Sequence, residues 1–234
     1  ISSAYHSLYT SAFTENTFPT NEKGLYTGIS IKPAMGWRVD AYADVYKFPW
    51  LRYRVDAPTT GKEYMFQLTY QPNKIFSIYS RLRSESKPIN YNPTGLTLNP
   101  VIPQPRQNWR TQLSVKLNSI FTFRSRVEMV WFDKRGSAAE NGFTIFTDLL
   151  YNPMMKPLSG NIRLQYFETD GYNSRVYSYE NDVLYGYSIP VFMIKDTVII
   201  LMLITILISA FLFGQNGRKP FTPIKPLLVQ ASMK

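Results

Sequence analysis

Arg110-Thr111-Gln112-Leu113-Ser114-Val115-Lys116-Leu117 alternates polar and apolar residues without a break. In an extended chain successive side chains point to opposite faces, so this stretch has one wet face and one oily face. Wound as a helix, the same residues would be spread around the whole circumference. The pattern therefore predicts a β-strand.

Outward from this stretch the same period recurs. Trp37, Val39, Ala41, Ala43 and Val45 alternate with Arg38, Asp40, Tyr42 and Asp44, and Phe66, Leu68 and Tyr70 with Gln67 and Thr69. Phe76, Ile78 and Leu82 alternate with Ser77, Tyr79, Arg81 and Arg83. Val127, Met129 and Trp131 do so with Arg126 and Glu128, and Ile162, Leu164 and Tyr166 with Asn161, Arg163 and Gln165. No comparable helical period precedes residue 193. These signals predict an all-β fold, an antiparallel meander of about ten strands.

The connections carry a second pattern. Lys32-Pro33-Ala34-Met35-Gly36, Gln71-Pro72-Asn73-Lys74 and Asn118-Ser119 are short and rich in turn residues. Lys47 to Lys62, Ser84 to Asn108 and Asp133 to Asn141 are long, and the two kinds alternate. A transmembrane β-barrel has small turns on one side and large loops on the other. A soluble sandwich has less reason to sort its loops. The segments Asn152 to Gly160 and Thr169 to Asn173 do not sort by size. Pro88, Pro93, Pro100, Pro103 and Pro105 make Ser84 to Asn108 an expected ordered surface loop that cannot pair as a strand.

Composition excludes several chemistries. With 15% aromatic residues and only 18% charged ones among 234, the chain has ample apolar surface to offset the entropy of ordering. The absence of cysteine removes disulfides, thiolate zinc sites and cysteine nucleophiles. His6 is a lone histidine, a poor start for a metal site or a Ser-His-Asp triad. No enzymatic role, cofactor or metal is expected. The formal charge of +10 permits anionic partners. Because the chain starts at Ile1 without a charged-then-apolar leader, it is expected to be a fragment.

Composition also divides the chain. Residues 1–192 hold every Tyr and Trp, whereas 193–234 hold neither and no Glu. Thr197 to Gly214 is uncharged and mostly apolar, so residues 193–234 as written predict a membrane-spanning helix with a basic tail. Arg218, Lys219, Lys225 and Lys234 would place that tail in the cytoplasm. A single-pass inner-membrane protein with a β-rich ectodomain, anchored by 197–214, is thus the alternative to a barrel.

DAYADVYKFPWLRYRVDAP (40–58), KPINYNPTGLTLNPVIPQPRQNWRTQ (87–112), SRVEMVWFDKRG (125–136) and SGNIRLQYFETDGYNSRVYSYENDVLY (159–185) resemble the C-terminal region of a family of Bacteroidota outer-membrane proteins. Members often carry helix-hairpin-helix motifs nearer their N-terminus. The resemblance implies an outer-membrane barrel and supplies no known reaction. The helix-hairpin-helix part is missing from this chain, so nucleic acid is expected only through that part. The resemblance stops at Phe192, where such proteins continue through tyrosine-rich strands. Isoleucine codons begin AT, so a frame one base earlier turns an isoleucine run into tyrosine, asparagine, aspartate or histidine. Met193 to Ile206 back-translated this way permits YDKGYRYYINVNYD, and Phe221 to Lys234 permits IYTDKTVIGSGLDE. Residues 193–234 are accordingly expected to be an out-of-frame reading of further strands.

Arg81, Arg83, Arg110, Arg124, Arg126 and Arg163, with Glu128, share the polar parity of their strands and would line a barrel lumen. A basic lumen favours anionic solutes. The plainer account is a lumen filled by ion pairs and hydrogen bonds. Asp40, Asp44, Glu128, Asp148 and Glu168 could pair for acid–base work or balance those arginines. Trp37, Trp109 and Trp131 fall near expected strand ends, as an interfacial girdle requires. Trp50, Arg52, Tyr53 and Arg54 mix rings with cations in one loop, which could bind a glycan or nucleic acid or could anchor its own fold. The expected partners are membrane lipid and an anionic solute or glycan. The expected role is structural, in transport, or in surface recognition.

Overall fold

Each alternating stretch is a strand in a computed structural model of the chain, which describes residues 1–5, 14–15, 21–53, 55–91, 99–134, 136, 138–154, 158–179, 191–192, 195–205 and 227–233. Eight long strands come first: β1 (Lys23–Ile31), β2 (Trp37–Phe48), β3 (Thr59–Tyr70), β4 (Phe76–Asn90), β5 (Val101–Lys116), β6 (Phe121–Phe132), β7 (Glu140–Tyr151) and β8 (Leu158–Thr169). Two short ones follow, β9 (Val176–Tyr177) and β10 (Val191–Phe192), which pair only with each other. Then come β11 (Lys195–Thr205) and β12 (Leu227–Met233). The order β1-β2-β3-β4-β5-β6-β7-β8-β11-β12 is one open antiparallel meander.

Turn chemistry fixes its corners. Asn73 Oδ1 accepts from the backbone N–H of Ile75 and of Phe76, both at 2.9 Å. Asn118 Oδ1 does the same for Ile120 and Phe121, at 2.8 and 2.7 Å. The same asparagine turn thus closes β3–β4 and β5–β6. Gly36, at φ 79°, takes the left-handed conformation that closes β1–β2. Residues 32–36, 71–75, 117–120 and 152–157 connect strands at one end of the sheet. The strand ends separated by the longer stretches 49–58, 91–100, 133–139 and 170–194 are those at the other. The size sorting therefore holds as far as β11, because β8 begins at Leu158 and shortens the connection before it; the 21 residues between β11 and β12 join the short-turn end and break it.

Two expectations are corrected. Ser84 to Asn108 is mostly strand, not loop: Pro88 stands opposite Pro103, and Ser86 opposite Pro105. Proline needs only to avoid a donor position. The Pro105 carbonyl accepts from Asp133 N–H on the β6 side at 2.9 Å, so its nitrogen also faces that side rather than β4. Pro103, two residues away, faces the same way, and Pro88 opposite it faces away from β5. Consistent with this, the Pro88 carbonyl accepts from Arg52 Nη2 at 3.1 Å. The same extension places Trp109 in the middle of β5 rather than near a strand end.

The second correction concerns the C-terminal run. Where a helix was expected from Thr197, residues 195–205 form β11, paired along β8 from Lys195↔Glu168 to Thr205↔Leu158. An edge strand offers a row of unmet backbone donors and acceptors, and a pairing chain satisfies them all. The remainder of the expected helix, 206–214, lies outside the described residues. No described helix is long and apolar enough to cross a membrane, which says nothing about strands.

Burial is inverted relative to a water-soluble sheet. On β8, Ile162 and Leu164 are 49% and 56% exposed, while Arg163 and Gln165 between them are 2% and 0%. On neighbouring β7, Thr144, Phe146 and Asp148 are buried and Ile145 and Leu149 exposed. Leu82, Phe66, Tyr64, Leu25 and Ile29 extend the exposed apolar face across β4, β3 and β1. We call the face carrying Arg163 inner and the other outer.

Candidate functional site

Register gathers the sequence-predicted polar residues onto the inner face. Arg81 stands opposite Arg110, and Arg110 opposite Glu128. Arg126 lies between Gln112 and Phe146, and Arg124 between Ser114 and Asp148. Asp148 in turn faces Arg163. Arg83 is two residues from Arg81 and shares its side of the strand.

Three of these arginines are bound to carboxylates through two nitrogens each. Arg163 Nε and Nη2 donate to Asp148 at 2.6 and 2.8 Å, with both groups buried. Arg110 Nε and Nη2 donate to Glu128 at 2.7 and 2.9 Å, and Asn108 Nδ2 adds a third bond to that carboxylate at 2.5 Å. Arg83 Nε and Nη2 donate to Glu63 at 2.8 and 2.6 Å, and the Tyr42 hydroxyl also donates to Glu63. Such forks are the strong form of the interaction, and a dry site needs them to offset desolvation. The guanidiniums of Arg163 and Arg126 also approach the Phe146 ring, at 4.0 and 5.0 Å from its centroid.

Arg81, Arg106, Arg124 and Arg126 show no ion pair with a carboxylate among the described residues. Arg126 donates twice to Gln112 Oε1, at 2.9 and 2.6 Å. Arg106, which its expected loop position had hidden, donates to the Arg175 carbonyl at 2.7 Å. Arg81 Nε and Arg124 Nε are buried without a hydrogen-bond partner. Arg106 shares the parity of Asn108 and Arg110, so following the alternation back through the prolines would have found it.

After β8 the chain turns back over this face. Glu140 accepts from Asn173 N, Asn173 Nδ2 and Ser174 N at 2.9, 2.8 and 3.1 Å. Arg163 Nη1 donates to the Tyr179 carbonyl at 2.7 Å and to Ser178 Oγ at 3.3 Å. Ser174, Val176 and Ser178 are buried. Gly142 permits the approach, since a Cβ there would lie 2.1 Å from the Ser174 carbonyl oxygen. Sequence reading missed this covering segment, because nothing in its composition marks it as folded inward.

The loop candidates divide. Trp50 and Tyr53 are 68% and 83% exposed. Arg52 instead packs inward: its guanidinium lies 4.4 Å from the Phe48 ring centroid, and Phe48 and Val55 are buried beneath the loop. Arg54 and His6 lie outside the described residues. Among the acids, Glu128 and Asp148 are each held by an arginine rather than by another carboxylate. Glu168 has the outer parity and accepts from the Tyr166 hydroxyl at 2.6 Å. No group of three or more metal-ligating side chains occurs among the described residues. No protein-family model matches the chain, nor does any curated protein or solved structure.

Proposed function

We propose that this chain is part of a transmembrane β-barrel of the outer membrane. Its outer face would meet lipid and its inner face would line the lumen. The observation that carries the reading is the inverted burial of β8, with Arg163 and Gln165 covered while Ile162 and Leu164 are bare. In water that arrangement forfeits the hydrophobic gain on the wrong face. In a bilayer it is the required one, because lipid-facing and lumen-facing residues must alternate. The sorting of connection lengths from β1 to β11 supports the same reading. The role is structural, in transport, or in surface recognition, and no catalysis is assigned.

The frame of residues 193–234 belongs to this proposal. On β11, Val198, Ile200, Met202 and Ile204 occupy register positions that share parity with Arg163 and Gln165. Read one base earlier, Val198 becomes Cys, Arg, Ser or Gly, and Ile200 becomes Tyr, His or Asn, whatever codons were used. Met202 and Ile204 become Tyr, His, Asn or Asp. At Leu203, on the outer parity, only Val or Ala is possible. The shifted strand is therefore polar at the inner positions and permits apolar or aromatic residues at the outer ones, the alternation of β8 in the matching register.

Two experiments test the proposal. The protein is expected in the outer-membrane fraction, soluble only with detergent and running faster on SDS gels before boiling than after. Recovery as a soluble protein without detergent would sink the barrel reading. Sequencing codons 185–200 from independently amplified DNA is expected to reveal one extra base, and an intact frame would make residues 193–234 genuine.

A further inference from the structure

A cavity of about 220 Å³ lies on the inner face between β4, β5 and Tyr177 of the covering segment. Its charge does not balance. Both of its carboxylates are already committed: Glu128 to Arg110 and Asn108, and Glu85 to Arg83 at 3.1 Å and Lys87 at 3.9 Å. Arg81 and Arg106 also line it; Arg81 has no acid of its own, and Arg106 faces Glu85 across the ladder without an ion pair to it among the described contacts. Arg81 stands directly across from Arg110, a like-charge cross-strand pair that costs stability unless something negative intervenes. Its Nε is buried and unbonded. Tyr177 completes the lining, and because its hydroxyl accepts from Arg175 Nε at 2.7 Å, its own proton is left to donate.

Two guanidiniums outside any ion pair, one of them with an unused buried N–H, and one hydroxyl proton converge on a space that is small. A water occupies about 30 Å³, so the cavity holds a tetrahedral oxyanion and a few waters but not a sugar chain. Guanidinium forks match such oxyanions in planar, two-bond geometry. We propose that Arg81 and Arg106, with Tyr177 above them, bind a small dianion of the phosphate class. This rests on the reading of the inner face as the lining of a barrel lumen. It makes 170–179 the cover of a solute site and not merely packing.

The test is calorimetric titration of inorganic phosphate into the full chain refolded in detergent. Alongside it, gel mobility before and after boiling reports whether a barrel has formed. Saturable binding is expected, weakened about tenfold or more by Arg81→Gln and by Arg106→Gln, as loss of a charged hydrogen-bond partner implies. Lys116→Gln, an equal charge removal at the exposed far end of β5, is expected to leave affinity within about twofold. Equal weakening by all three would replace the site with diffuse lumen charge and overturn the inference. An absence of binding in a protein with barrel mobility would overturn the site alone. Specific binding by a chain that is soluble without detergent would keep the site and sink the barrel reading.

Discussion

β8 and β11 are hydrogen-bonded neighbours built on opposite principles. β8 changes character at every residue from Asn161 to Tyr166, so each of those side chains has one acceptable face. β11 is apolar at both parities from Val198 to Ile204, so its sequence prefers neither. Sliding β8 by one position would turn Arg163 outward and Ile162 inward, which the alternation forbids. Sliding β11 would change nothing that its own side chains could register. Backbone pairing alone can thus make a strand, but only alternation tells it where to stop and which way to face.

The comparison can be broken most sharply at the polar face of β8. Asp148→Leu leaves the Arg163 guanidinium buried without its acid, and is expected to cost about 3–5 kcal/mol in urea unfolding of the bilayer-reconstituted protein. Adding Arg163→Met should recover most of that loss. An unchanged midpoint in the single variant would mean that this face is wet and the pair dispensable. Next in size, Leu164→Arg puts a charge on the outer face and should cost about 2–4 kcal/mol if that face meets mid-membrane lipid. In a water-exposed sheet the same change would stay within about 0.5 kcal/mol, so the measurement separates the two environments.

Smaller effects sharpen the contrast. Gly142→Ala drives a methyl group into the Ser174 carbonyl and should destabilise by about 1–3 kcal/mol. It should also speed proteolysis within 170–179, and an unchanged cleavage rate would mean the segment is not held there. Smallest, Ile200→Asn places an amide opposite Arg163 in the neighbouring strand. It should stabilise by about 0.5 kcal/mol, the scale of a favourable cross-strand pair. A loss of similar size would argue that the apolar residue belongs at that position.

Most of the sheet was legible because period-two alternation is a local property. Arg110 to Leu117 needs no partner to declare its two faces. The seven candidate side chains share one face for the same reason, since parity survives any error in where a strand ends. Strand ends were less legible, because composition near Pro88, Pro103 and Pro105 argues for a loop. Only the orientation of each missing donor shows that pairing is allowed. The expected helix failed for a related reason. A long apolar run states its dislike of water but not its backbone geometry, and a free neighbouring edge decided the matter. The covering segment was illegible, because its burial comes from Glu140, Gly142 and Arg163, residues distant in sequence.

Those prolines have one more consequence. The β3–β4 ladder ends at Lys62↔Ser86 and the β5–β6 ladder at Arg106↔Phe132, just short of where Pro88 and Pro105 would have to donate. The ribbon of β4 and β5 rises beyond its neighbours, lacking the N–H of Pro88 on one flank and those of Pro103 and Pro105 on the other. Its carbonyls still accept from the adjacent loops, as Pro105 does from Asp133, but a full two-way ladder with a further strand is interrupted at each proline. The prolines thus act as a ruler, setting the height at which the shared wall stops and leaving a tall finger above it.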